Sequence, residues 1–233
     1  MIIWIIFLLG YLLIQGIIIK QYYSGSYYQV TRNSYFAMNG DLGKKGEYHI
    51  YKRLRKLEDR GCKFLFNVYI PKNEDTTTEI DVLLLSPKSL FVFESKNYSG
   101  WIFGSETQRN WTQTLPQGGR RSHKERFYNP IMQNRTHITS LLSLIEQDIP
   151  TWSIIAFSER CTLKDISVQS SNVRVINRYD VGRTISSICG QTQTDALSES
   201  EIDALYRLLY PYSQCSEAVK AQHIANIQKF TGQ

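Results

Sequence analysis

The sequence predicts an α/β protein, a mixed β-sheet flanked by helices and preceded by one N-terminal transmembrane helix. Three observations carry that expectation. The apolar pattern changes period along the chain, from a helical stripe to three strand-like runs, back to a helix, and then to a fourth strand. Those runs are rich in Leu, Val, Ile and Phe and are bounded by turn residues. Met1 to Ile19 is uncharged and almost wholly apolar, close to the roughly 20 residues a helix needs to cross the hydrocarbon core of a bilayer.

Residues 1–20 are read as a membrane anchor. A cleaved signal peptide would want a basic segment ahead of a shorter apolar run and a small-residue cleavage site, and no Lys or Arg lies ahead of this run. Lys20, Arg32, Lys44 and Lys45 all follow it, so the positive-inside rule puts the soluble domain in the cytoplasm of a single-pass protein of the cell membrane. Residues 21–39 form a polar juxtamembrane linker whose Tyr22, Tyr23, Tyr27 and Tyr28 suit the headgroup level.

From Asp41 to Arg60 the spacing of Tyr48, Ile50, Leu54 and Leu57 predicts a helix ended by Gly61. Lys63 to Ile70 is the first strand, Pro71 to Thr78 a polar turn, and Glu79 to Leu85 with Ser89 to Asn97 a hairpin about Ser86-Pro87-Lys88. A helix from Pro130 to Gln147, with proline in its first turn, leads into a strand from Trp152 to Phe157. Residues 40–158 are thus the main domain and 159–233 a mostly helical extension packed on it. In that extension Val173 to Ile176 suits a strand and Val181 to Cys189 a short helix. Ser198 to Leu209 suits a helix with a Ser198/Glu201 capping box, and Ser213 to Phe230 a last helix.

A chain of 233 residues holds one sizeable domain and an appendage. Its formal net charge of +6 suits a partner with a negative backbone or an anionic membrane surface. Cys62, Cys161, Cys189 and Cys215 form no C-x-x-C pair, so neither a zinc site nor a disulfide framework is indicated, and reduced thiols fit best.

The chemistry is concentrated in Leu90 to Lys96, LFVFESK. Positions two apart on a strand share a face, so Glu94 and Lys96 emerge side by side from an otherwise apolar run. The neighbouring run from Ile80 to Leu85 carries one acid, Asp81. Two carboxylates at adjacent strand ends repel unless a cation lies between them, and hard oxygen ligands that leave room for water are what Mg²⁺ or Mn²⁺ prefer. Lys96 beside them can orient or help deprotonate the attacking water and stabilise charge on a phosphate. Glu47 is a candidate third carboxylate, and an exposed first-turn acid is its alternative reading. A structural salt bridge is the alternative for Glu94 and Lys96.

The flanking residues make a resemblance specific. Gly46-Glu47, Glu79-Ile80-Asp81, Glu94-Ser95-Lys96-Asn97-Tyr98-Ser99-Gly100-Trp101 and Asn129-Pro130-Ile131-Met132-Gln133-Asn134 occur in this order. The order resembles the nuclease-related domain (NERD) family of the PD-(D/E)xK nuclease superfamily. Ile80 stands in place of a proline, and Val82 where many relatives have a histidine. The resemblance implies a restriction-endonuclease-like fold, with Glu47, Asp81, Glu94, Lys96 and Gln133 as the catalytic set and Asp81, Glu94 and Glu47 as metal ligands. It gives Gln133 a supporting role, while a solvent-facing amide is the plainer reading. His137, one turn after Gln133, is read as a surface or partly packed histidine and not as a ligand.

Nucleic acid is expected to meet Arg109, Trp111, Arg120, Arg121, Lys124 and Arg126, where cations and aromatics interleave. A solvated loop with core aromatics is the other reading of that segment. Together these features describe a membrane-anchored, Mg²⁺- or Mn²⁺-dependent nuclease acting on DNA. The alternative is a catalytically weak nuclease-fold module that binds nucleic acid or protein at the membrane. A glycosidase with paired carboxylates gives no reason for Lys96.

Overall fold

The computed structural model describes residues 2–73, 76–118, 121–216, 218, 219, 221–223 and 225. Helix α1, Ile2–Tyr23, carries no charge before Lys20, and its apolar side chains are exposed along most of its length. The segment read as a linker is helical instead: α2 spans Ser26–Thr31 and α3 Tyr35–Gly40. The reason is aromatic packing. Tyr22, Tyr27, Val30 and Met38 are buried, with the Tyr22 ring 5.1 Å from Tyr48 and the Tyr27 ring 4.8 Å from Phe66, so these tyrosines belong to the domain core.

Helix α4, Leu42–Leu54, begins where Asp41 Oδ1 accepts the N–H groups of Gly43 and Lys44. It buries Glu47, Tyr48, Ile50, Tyr51 and Leu54, then tightens into a 3₁₀ turn over Arg55–Arg60. Gly61, at φ 79°, closes it in the left-handed conformation that glycine adopts without steric cost.

Strands β1, Lys63–Asn73, and β2, Thr76–Leu85, run farther than the expected turn at Pro71 to Thr78 allows. Thr76, Thr77 and Thr78 are β-branched and favour the strand. Pro71 is tolerated because β1 is an edge strand. Strand β3 is Leu90–Lys96.

The next surprise is β4, Gly100–Ser105, β5, Asn110–Pro116, and β6, Ser122–Tyr128, an antiparallel meander where a loop was expected. Helix α5, Pro130–Ile145, starts at Asn129, whose Oδ1 accepts from Ile131 N–H and whose amide donates to Ser105, Glu106 and Gln108 carbonyls. Then come β7, Thr151–Phe157, β8, Cys161–Ser167, β9, Val173–Asn177, α6, Val181–Gln191, and α7, Glu199–Ser213.

The result is mixed α/β with two mixed sheets flanked by helices. One has the order β1-β2-β3-β7-β9, antiparallel up to β3 and parallel from β3 to β9; the other runs β6-β5-β4-β8. A single sheet was the expectation. β9 is the strand expected from Val173 to Ile176, whereas β8 was not expected in the mostly helical extension, and each completes a sheet. α7 opens with the expected capping box of Ser198 and Glu201 and packs on β1. Of the last expected helix, residues 218, 219, 221–223 and 225 are helical, while 217, 220, 224 and 226–230 lie outside the described residues. The main core joins α4, the first sheet, α6 and α7, while a second cluster of Ile102, Trp111, Ile131, Ile155 and Phe157 joins the two sheets. All four cysteines are free.

Candidate active site

β2 and β3 pair from Leu85↔Leu90 to Val82↔Phe93, so Asp81 and Glu94 stand one step past the last pair, opposite each other on one face. Glu94 is 3% exposed, too buried for an unpaired charge. Lys96 Nζ lies 2.7 Å from Glu94 Oε1 and donates to Gln133 Oε1 at 2.9 Å. Glu94 Oε2 lies 3.0 Å from His137 Nε2, and His137 Nδ1 is 2.5 Å from Thr78 Oγ1. An ionised carboxylate only accepts, so Nε2 is the donor to Glu94.

His137 is therefore buried and orients Glu94, which corrects its reading as a surface histidine. Between Gln133 and His137 on α5, Asn134 donates to the Val92 carbonyl and to Ser153 Oγ, both at 2.9 Å, and so clamps the helix to β3 and β7.

The charges follow from burial and neighbours. Burial pushes Glu94 up, but Lys96 and His137 outweigh it and hold the carboxyl at about 2. Burial and then repulsion from Glu94, Glu47 and Glu79 raise Asp81 well above the usual carboxylate range, against a 2.7 Å hydrogen bond from Ser95 N–H. The pair thus holds one negative charge readily and resists the second. Burial favours loss of the Lys96 proton, yet Glu94 and Asp81 reverse that and raise its pKa.

Glu47 is buried, not an exposed first-turn acid, and burial lifts it to about 7 although Asn67 and Tyr27 both hydrogen-bond it, Tyr27 at 3.3 Å. Asn67 takes a left-handed φ of 49° directly across from Asp81, where the β1–β2 ladder is interrupted. Sequence reading missed Asn67, Thr78 and the role of His137. The only hint of Asn67 was a single polar residue inside the apolar run Phe64 to Ile70.

Among the described residues no group of three His, Cys, Asp or Glu side chains converges closely enough to hold a metal ion. Glu47 contributes to the raised pKa of Asp81 but does not form such a group with Asp81 and Glu94. What remains fits a hard cation: two facing carboxylates, one of which burial and the charge of the other hold well above the usual carboxylate range. Mg²⁺ in particular retains several waters and takes one or two carboxylates from a protein.

The expected nucleic-acid residues separate. Arg109 is exposed on the β4–β5 turn, and Arg121, Lys124 and Arg126 are exposed on or beside β6. Arg120 lies outside the described residues. Trp111 is fully buried, with its indole donating to the Ser105 carbonyl at 2.9 Å, so it is core and cannot stack on a base. The aromatics that β4 and β6 do expose are Trp101 and Tyr128. Phe127, between Arg126 and Tyr128, stacks on Tyr98 at 4.3 Å and ties β6 to the chain just past Lys96.

The family model of the nuclease-related domain matches residues 42–158, half of the chain, from the start of α4 to the residue after β7. The chain belongs to the nuclease-related domain family. This is a PD-(D/E)xK-like nuclease domain, and the matched span contains Glu47, Asp81, Glu94, Lys96 and Gln133. An uncharacterized protein of Bacillus anthracis is 33% identical over 183 residues, 78% of this chain and 82% of that protein. No solved structure matches the chain. The nuclease-related domain as matched ends before β8 and β9, although both strands pair into its sheets.

Proposed function

We propose that the protein is a membrane-anchored nuclease that hydrolyses phosphodiester bonds in DNA with Mg²⁺ or Mn²⁺, its soluble domain facing the cytoplasm. The observation that carries the reading is Lys96 paired with Glu94 at 2.7 Å across from Asp81, within a span that matches a nuclease-related family. Asp81 and Glu94 are the residues to hold the cation, which when bound would neutralise their repulsion and polarise the scissile phosphate.

Lys96 has three N–H donors and uses two, on Glu94 and Gln133, leaving one for a phosphate oxygen. Its raised pKa suits it to carry a positive charge that stabilises the transition state. Gln133 and His137 keep Lys96 and Glu94 in place. Glu47, at about 7, is the carboxyl suited to exchange a proton near neutral pH.

Two features of α1 support the anchor. Ile3–Tyr23 has a mean hydropathy of 2.2, with none of its most apolar window buried. Tyr22, in its last turn, is 1% exposed and donates to the Asn33 carbonyl at 2.7 Å, so the helix runs into the domain core and its loss as a cleaved leader would remove a core residue.

The test is incubation of the detergent-purified protein with plasmid DNA, single-stranded DNA and RNA, in Mg²⁺, in Mn²⁺ and in chelator. Cation-dependent cleavage of DNA is expected; equal cleavage in chelator contradicts the reading. Both Glu94 oxygens are already engaged, by Lys96 and His137, and this favours a second reading in which the module binds nucleic acid with little turnover. DNA binding without cleavage under either cation would establish it.

A further inference from the structure

Strands β3, β7 and β9 are parallel, with Lys96, Phe157 and Asn177 in register at their carboxyl ends. Asn97, the Ser158-Glu159-Arg160 turn and Arg178 therefore leave the sheet at one edge, the edge where open α/β sheets gather ligands. α4 lines the same place with Gly46, His49 and Arg53, spaced to share one helix face. Arg178 is 3% exposed, and its guanidinium has one ion-pair contact, Nη1 to Glu159 Oε2 at 3.4 Å. Its Nε and Nη2 have no hydrogen-bond partner among the described residues, and neither has Ser95 Oγ. A Cβ on Gly46 would stand 2.6 Å from Ser95 Oγ and 3.1 Å from Arg178 Nη2, so only glycine lets α4 come this close.

Such buried, unpartnered donors are rare and costly, the more so on a charged group. The surroundings deepen the excess of positive charge. Arg53 Nη2 is 3.0 Å from Glu159 Oε1, and Arg160 turns its Nη2 to the Asn97 carbonyl and side chain. Burial lowers the pKa of His49, and Arg178, Arg53 and Lys45 add to it against Glu159. Two arginines thus share one half-exposed carboxylate. Meanwhile Gly46 adjoins Glu47, and Ser95 lies between Glu94 and Lys96, so this basic pocket borders the acidic site on both α4 and β3.

We propose that the pocket is a second phosphate site. A backbone phosphate next to the scissile one displaces the Glu159 carboxylate and takes the donors of Arg53 and Arg178, Glu159 being an internal stand-in for the substrate. Arginine forks match phosphate oxygens as they match a carboxylate, and a phosphodiester monoanion has ester oxygens beside its two charged ones to offer the unused Nε and Nη2. The proposal rests on the nucleic-acid reading above and adds to it where the strand lies: across the carboxyl ends of β3, β7 and β9.

The test is the binding of short labelled DNA, single-stranded and duplex, to the full-length protein in detergent with chelator, over a salt series, beside cleavage in Mg²⁺. Arg53 and Glu159 are exposed positions. Arg53→Ala is expected to weaken binding and lower the salt slope by about one. Glu159→Gln is expected to tighten binding by about five-fold, while Asp148→Asn, the same charge change at an exposed site after α5, alters it by less than about two-fold. The gain from Glu159→Gln should vanish in the Arg53→Ala background. Equal effects of Glu159→Gln and Asp148→Asn, an unchanged slope in Arg53→Ala, or no binding by the wild type would overturn the proposal. Cleavage that persists with binding indifferent to both residues would remove the pocket and leave the nuclease; the expected binding changes without cleavage would do the reverse.

Discussion

Lys96 gathers the site's logic into one side chain. It balances the charge of Glu94, is held by Gln133, and keeps its proton. Replacing it removes positive charge where negative charge develops but removes no carboxylate. Lys96→Ala is therefore expected to lower the cleavage rate by about two orders of magnitude or more while DNA binding largely persists, measurable by single-turnover kinetics beside equilibrium binding. Glu47 gives a prediction in pH. Its folded value, about 7, lies above its ordinary 4.5, so the folded state holds the proton more tightly than the unfolded chain. Below about 4.5 both states are protonated and nothing is lost; stability falls as pH rises from there to about 7, and the full cost is present above. Glu47→Gln should thus stabilise the cation-free protein by an amount on the order of 3 kcal/mol near pH 8 and by almost nothing near pH 4, as read by denaturant melts. The acids and Lys96 were legible in the sequence because charge inside an apolar strand stands out. His137 was not, since a helical histidine reads the same whether it meets water or a buried carboxylate three strands away in sequence.

At the scale of elements, β1 carries a local strain that bears on the site. Asn67 holds a left-handed backbone across from Asp81 and hydrogen-bonds Glu47, a conformation that a β-branched side chain resists. Asn67→Val is expected to destabilise the fold by about 1–3 kcal/mol, while Asn67→Gly keeps most of the stability and loses the contact to Glu47; thermal melts of the two variants check this. Helices α4 to α7 and the first-sheet strands were readable from period and end signals, as at Gly61, Pro130 and Ser198. The second sheet was not. β6 is exposed on nearly every residue, so it lacks the apolar alternation that marks a half-buried strand, and Trp111 faces inward on the only strand of the meander with a clear core side. The same blindness made residues 21–39 look like a linker, because tyrosines suit a headgroup layer and a protein core equally well.

For the whole molecule, the apolar helix α1 runs directly into the nuclease-related domain through Tyr22 and its aromatic neighbours. Full-length protein should pellet with membranes and expose a carboxyl-terminal reporter to the cytoplasm; recovery in the soluble fraction, or a reporter on the outside, would remove the anchor. The central claim is that Asp81 and Glu94 face each other in order to share a cation during DNA cleavage. Cleavage of plasmid DNA by the wild type and Asp81→Ala, each in Mg²⁺ and in chelator, tests it most directly. The account predicts cleavage by the wild type in Mg²⁺ alone and a loss of at least about two orders of magnitude in Asp81→Ala, since one remaining carboxylate holds a reluctantly dehydrated ion poorly. Undiminished cleavage by Asp81→Ala, or by the wild type in chelator, would contradict it and leave Glu94 and Lys96 a structural ion pair.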